Sequence, residues 1–137
     1  KMQGWRDWFA SWPLPFQSLA EVRCFFTADD SPRDGDYFIE VMREAEDGYR
    51  PLFAFDQMLQ SLEDYTRYDY APDLDRVQCP ALVVKGSLSS QNGDDMRAMA
   101  RRLPHGRYVE IEGAGHVVHY DQPERWRAAV EPFLLEL

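Results

Sequence analysis

Positive charge is in short supply in this sequence, where 15 Lys and Arg stand against 24 Asp and Glu for a formal net charge of −9. Attraction to phosphate backbones or anionic membranes needs clustered Lys and Arg, so the balance argues against nucleic acid and against an anionic lipid surface as partners. Cysteine is scarcer still. Cys24 and Cys79 are the only two, neither in a CxxC pair nor among ligand-spaced histidines. A zinc site and a disulfide framework are both improbable on that count, and no cofactor or metal is expected. Long apolar runs are missing too: stretches such as Ala81–Val84 fall far short of the roughly 20 residues needed to cross a bilayer. The N-terminus carries no signal-peptide core. These absences predict a soluble chain in a reducing cytoplasm.

What is present is enough for a core: 137 residues, 45% of them hydrophobic and 14% aromatic, which excludes disorder. Residues 1–72 read as helices. Trp5, Trp8, Phe9 and Trp12 fall at i, i+3, i+4 and i+7 on one helical face, and Pro13 and Pro15 end it. Ser18 and Glu21 form a capping box ahead of Val22, Phe25 and Phe26. The polar stretch from Asp29 to Asp36 reads as a loop. Tyr37, Phe38, Val41, Met42 and Ala45 then suggest a third helix, and Leu52, Phe55, Met58, Leu59 and Leu62 a fourth.

Residues 73–137 differ in character. Ala81-Leu82-Val83-Val84-Lys85-Gly86 reads as a buried parallel strand stopped by glycine. Asn92 or Gly93 can cap a helix whose Met96, Met99, Ala100 and Leu103 line one face, with Asp94 and Asp95 in its first turn, where the helix dipole favours negative charge. A second strand follows at Arg107–Glu112, then a tight turn at Gly113-Ala114-Gly115-His116. Asp121-Gln122-Pro123-Glu124 starts a last helix, with Trp126, Ala129, Val130, Phe133 and Leu137 inward and Pro132 kinking it. The fold class is therefore α/β, with a strand–helix–strand–helix unit forming a right-handed parallel crossover. A sheet of two parallel strands wants further neighbours. Either a lobe is missing, or the helical half folds over the open edge to make a small α+β domain.

Val77 to Gly86, Ala100-Arg101-Arg102-Leu103-Pro104, Gly113-Ala114-Gly115-His116, Asp121-Gln122-Pro123-Glu124 and Phe133-Leu134, in this order and spacing, resemble the C-terminal end of α/β-hydrolases. The likeness is close over Leu74–Leu137. Trp12-Pro13-Leu14-Pro15-Phe16 and the helices after it look like the lid, or cap, that such enzymes insert before their last strands. The resemblance implies that 1–72 is a cap and 73–137 the C-terminal part of the core, and it makes His116 the general base. A serine hydroxyl is a weak nucleophile near neutral pH, and an imidazole titrating near that pH can take its proton and return it to the leaving group.

Two departures from the family pattern matter. Many relatives carry the catalytic acid three residues after the strand-ending glycine, and here Gly86 is followed by Ser87, Leu88 and Ser89. Asp94 or Asp95 could reach the imidazole if the turn folds back, yet both also sit where helix-capping acids are expected; some relatives place the acid after an earlier strand. The second departure is the nucleophile, since no G-x-S-x-G elbow occurs. Ser87, Ser89 and Ser90 are at the wrong spacing and read as turn residues. His119 lies close enough in sequence to share a metal with His116, but no third ligand is suggested; His105 reads as an exposed turn. The aromatic helices between Trp5 and Phe26 read equally as plain core and as the lining of an apolar substrate pocket.

The resemblance implies the cap and C-terminal lobe of a hydrolase, acting on an ester, a thioester or a similar bond in a mainly apolar small molecule, with an N-terminal lobe on another chain or on the other product of chain cleavage as partner. A non-catalytic binding or assembly module is the alternative, favoured by Ser89 at the acid position. A truncated fragment of a longer chain is a third reading.

Overall fold

The tryptophan stripe does form a helix, α1 (Met2–Ala10), in the computed structural model, which describes residues 2–28 and 33–137. Trp12 is buried just beyond it. Helix α2 (Leu19–Phe26) starts at Ser18, whose Oγ accepts the Glu21 N–H at 3.1 Å. The expected capping box is shifted by one residue on its return arm: the Glu21 carboxylate accepts the N–H of Gln17 at 2.6 Å, the residue before the cap. The capping chemistry is the same, two orphan amides satisfied by one Ser-x-x-Glu.

Two expectations for the first half are corrected. Part of the 29–36 loop lies outside the described residues, and its end is helical, because α3 (Asp34–Glu40) begins at Asp34. The third predicted helix also stops early. Met42–Ala45 is instead a strand, β1, paired antiparallel with β2 (Gly48–Pro51). The tight turn at Glu46-Asp47 explains this: Gly48, at a φ of +135° that suits glycine, returns the chain into β2, and this outweighs Val41, Met42 and Ala45 at helical spacing. Phe16 joins the hairpin, exchanging backbone hydrogen bonds with Tyr49 at 2.7 and 3.1 Å. Helix α4 (Phe55–Arg67) follows, starting three residues later than Leu52, which is exposed. Phe9, Trp12, Phe16, Val22, Phe26 and Met42 make the core of this half, with the Phe26 and Phe38 rings stacked at 3.9 Å.

A 3-10 turn (Ala71–Arg76) leads to β3 (Ala81–Gly86), α5 (Gly93–Arg102) and β4 (Gly106–Ile111). The strands pair in parallel from Ala81↔Gly106 to Gly86↔Ile111, with α5 as the crossover, as the sequence predicts. Asn92 caps α5 by accepting the Asp94 and Asp95 N–H groups at 2.8 and 3.4 Å. Val83, Ala100 and Leu103 form the core on the α5 side, and Ile111, Ala114 and Val118 a second one beneath α7 (Pro123–Leu135). A short helix α6 (Val118–Asp121) intervenes before α7. Trp126, Ala129, Val130 and Phe133 are half-buried, whereas Leu137, expected inward, is 70% exposed beyond the helix end. Helix α7 runs through Pro132 to Leu135. Among the described residues no helix is long and apolar enough to cross a membrane.

Candidate active site

His116 stands where the chain leaves β4, on a loop that the neighbouring turn holds in place. Gly113 takes a φ of +75°, a conformation that suits glycine, and turns the chain back over the sheet end. The turn after β3 is stitched to this loop: Ser87 N–H donates to the Ile111 carbonyl at 3.0 Å, Leu88 N–H to that of Ala114 at 2.9 Å, and Gly113 N–H to the Ser87 hydroxyl at 2.9 Å. Ser87 is thus a loop-bracing residue, as its turn position suggests. Behind it Lys85 is buried, its Nζ donating to the Gly86 carbonyl at 2.7 Å. From the other side Gln122 donates to the Gly113 carbonyl at 3.1 Å and Arg125 to that of Glu112 at 2.7 Å. Asp121, expected only to start the last helix, accepts the Gly115 N–H at 2.7 Å on one oxygen and the Arg33 N–H at 3.1 Å on the other.

The imidazole is exposed and lines a cavity of about 890 Å3. Its other walls come from the first half: Trp5, Trp8 and Phe9 of α1, Asp34, Tyr37 and Phe38 of α3, and Met58 and Leu62 of α4. A protonatable ring at the edge of a largely aromatic hollow can receive a proton beside an apolar acyl group. The aromatic helices divide between core and cavity wall. Trp12 and Phe26 are core, while Trp5 and Trp8 face the cavity. Asp34 was missed as a cavity residue because the loop reading ran through Asp36, although the acidic Asp34-Gly35-Asp36 step ahead of Tyr37-Phe38 is an ordinary helix-start signal; Tyr37 was placed in a helix, with nothing local to say which way that helix faces.

The candidate acid is elsewhere in its contacts. Asp94 lies in the first turn of α5 with a 94% exposed side chain, 3.2 Å from Arg97. Among the described residues no hydrogen bond or ion pair links it to His116, and no side chain hydrogen-bonds the imidazole. His119 packs against the Tyr120 and Trp126 rings, and no metal-holding cluster of three acidic, His or Cys groups occurs among the described residues. His105 is exposed in its turn. Two carboxylates stiffen the α3 side of the site. Hydrogen bonds from Arg23 and then Arg33 hold Asp36 below the ordinary aspartate range, and a hydrogen bond to Glu40 raises the Tyr120 phenol above the tyrosine range.

Residues 2–129 match the Alpha/beta hydrolase family. A putative protein-lysine deacylase, ABHD14B of Rattus norvegicus, is 34% identical over 67 residues, 49% of this chain and 31% of that protein. The crystal structure of E-2-(acetamidomethylene)succinate hydrolase superposes with a TM-score of 0.79 at 22% identity, covering 97% of this chain and 51% of the other. The chain therefore spans about half the length of that structure, and its match covers under a third of the curated relative. With residues 2–129 under one family pattern and its fold superposing on a solved hydrolase, the chain belongs to the alpha/beta hydrolase family.

Proposed function

We propose that residues 1–72 form the cap and 73–137 the C-terminal part of the core of a hydrolase, with His116 as general base and a complementary N-terminal lobe supplying nucleophile and oxyanion hole. The observation that carries this reading is the exposure of His116 on the wall of the aromatic cavity built by α1, α3 and α4. The imidazole takes the proton of a hydroxyl nucleophile as that oxygen attacks the acyl carbon, then returns it to the leaving group. The apolar walls select a mainly apolar acyl substrate, bound as an ester, thioester or similar species. That one relative is called a deacylase and another a hydrolase of an acetamido compound supports acyl chemistry. Free, exposed Cys24 and Cys79 suit a reducing, cytoplasmic setting.

The test is turnover of p-nitrophenyl butyrate by the chain assembled with the lobe that co-purifies with it. His116→Ala should lower kcat by several orders of magnitude and leave folding intact, because removing a triad member leaves only binding and oxyanion stabilisation. A second reading, a non-catalytic binding module, draws on the absence of any carboxylate hydrogen-bonded to the imidazole among the described residues. Full turnover in His116→Ala decides for it.

A further inference from the structure

Asp121 joins two distant parts of the chain, Arg33 at the start of α3, 88 residues before it, and Gly115 immediately before His116. Each carboxylate oxygen takes one backbone N–H, at 3.1 and 2.7 Å. A carboxylate is acceptor-only, so both oxygens can face donors; an asparagine in its place would set an NH2 against one of the two amides. Charge-assisted bonds of this kind are roughly twice as strong as neutral ones. The neighbouring residue reinforces the link, since Tyr120 meets Tyr37 of α3 edge-to-face at 6.0 Å and hydrogen-bonds Glu40. Helix α3 carries Asp34, Tyr37 and Phe38 into the cavity that His116 also lines. One side chain therefore fixes the imidazole loop relative to the wall against which a substrate would rest.

We propose that Asp121 is a positioning residue that latches the His116 loop to α3 of the cap, setting the imidazole against the substrate cavity. The catalytic half of this proposal rests on the function proposed above; the latch itself does not. Gln122 and Arg125 hold the Gly113 and Glu112 carbonyls independently, so loss of the carboxylate loosens the loop without dissolving it. A displacement near 1 Å at a reacting group can cost about 100-fold in rate.

The experiment compares Asp121→Asn and Asp121→Glu with the parent, each assembled with its N-terminal lobe. Hydrogen exchange at the Gly115 and Arg33 amides reads the latch, and p-nitrophenyl butyrate kinetics read the positioning. Asp121→Asn should speed exchange at one or both amides about tenfold or more and lower kcat by about 10- to 100-fold, with KM within about twofold, because the cavity walls still bind the ester. Asp121→Glu keeps the acceptor pair and should recover part of both effects. Unchanged exchange at both amides in Asp121→Asn, or a raised KM with kcat intact, would overturn the proposal. Full turnover in His116→Ala sinks the functional reading by itself, and the two amides then decide the latch alone.

Discussion

Gly86 and Gly115 lie back to back: a Cβ on Gly86 would stand 2.1 Å from the Gly115 carbonyl oxygen and 2.3 Å from that of Ala114. Both obstacles are backbone atoms, so the loop itself would have to move. Gly86→Ala should cost about 1–3 kcal/mol through overpacking and shift the segment that carries His116. Urea denaturation followed by tryptophan fluorescence, with amide chemical shifts for 113–116, checks both parts. An unchanged midpoint with unchanged loop shifts would refute it.

Asp94 is exposed and paired with Arg97 across one helical turn, an arrangement typical of an acid favoured by a helix N-terminus. Asp94→Asn should shift the denaturation midpoint by little more than experimental error and leave kcat of the assembled hydrolase unaltered. A triad acid behaves otherwise, since its loss leaves the imidazole in the wrong tautomer and costs about 10,000-fold. A fall of that size would assign Asp94 as the acid after all.

The parallel unit was legible because each of its signals is local. A glycine-stopped apolar run, an Asn cap and a Gly-rich turn mark β3, α5 and the His116 loop within a residue or two, and two parallel strands cannot be joined without a crossover. The hairpin was overlooked because Tyr37, Phe38, Val41, Met42 and Ala45 fit a helical face up to the turn that overrides them, although Asp47-Gly48 is itself a turn signal. His116 stood out only through the family resemblance of its turn and the segments around it. Its cavity did not, as the walls come from α1, α3 and α4, brought together by packing across the chain. The role of Asp121 was hidden for the same reason: its second contact is with a backbone amide far away in sequence, and backbone amides leave no mark in a sequence.

Acid should weaken the packing of α2 on α3 through Asp36. Its carboxylate binds the Arg23 Nε at 2.8 Å and also Arg33, and its pKa is lowered by the first of these hydrogen bonds above all. A carboxylate with a folded-state pKa below its unfolded value contributes stability that is complete above the ordinary aspartate range and is lost as pH falls through the folded value. Asp36→Asn should therefore be less stable than the parent near neutral pH and approach it at the acid end. Denaturation midpoints across an acid titration measure the gap. Curves that run parallel throughout would contradict the assignment.

The unpaired side of β3 leads to the last expectation. Strand β3 is paired only with β4 in a two-stranded sheet, so among the described residues its other edge presents backbone donors and acceptors without a strand to receive them. Such an edge templates pairing with another chain. Leu82 adds an apolar side chain there: it is half-buried and falls outside the clusters that take up Val83 on one face and Val84 on the other. We expect this chain to associate through the β3 edge, with an N-terminal lobe where one is supplied and with itself where none is. Sedimentation velocity on the chain alone should show concentration-dependent assembly, and adding the lobe should replace self-association by a defined heterodimer. Leu82→Lys should favour the monomer, because a charged side chain beside an edge opposes strand addition without touching the α5 core. A monodisperse, stably folded monomer at every concentration tested would count decisively against an incomplete sheet.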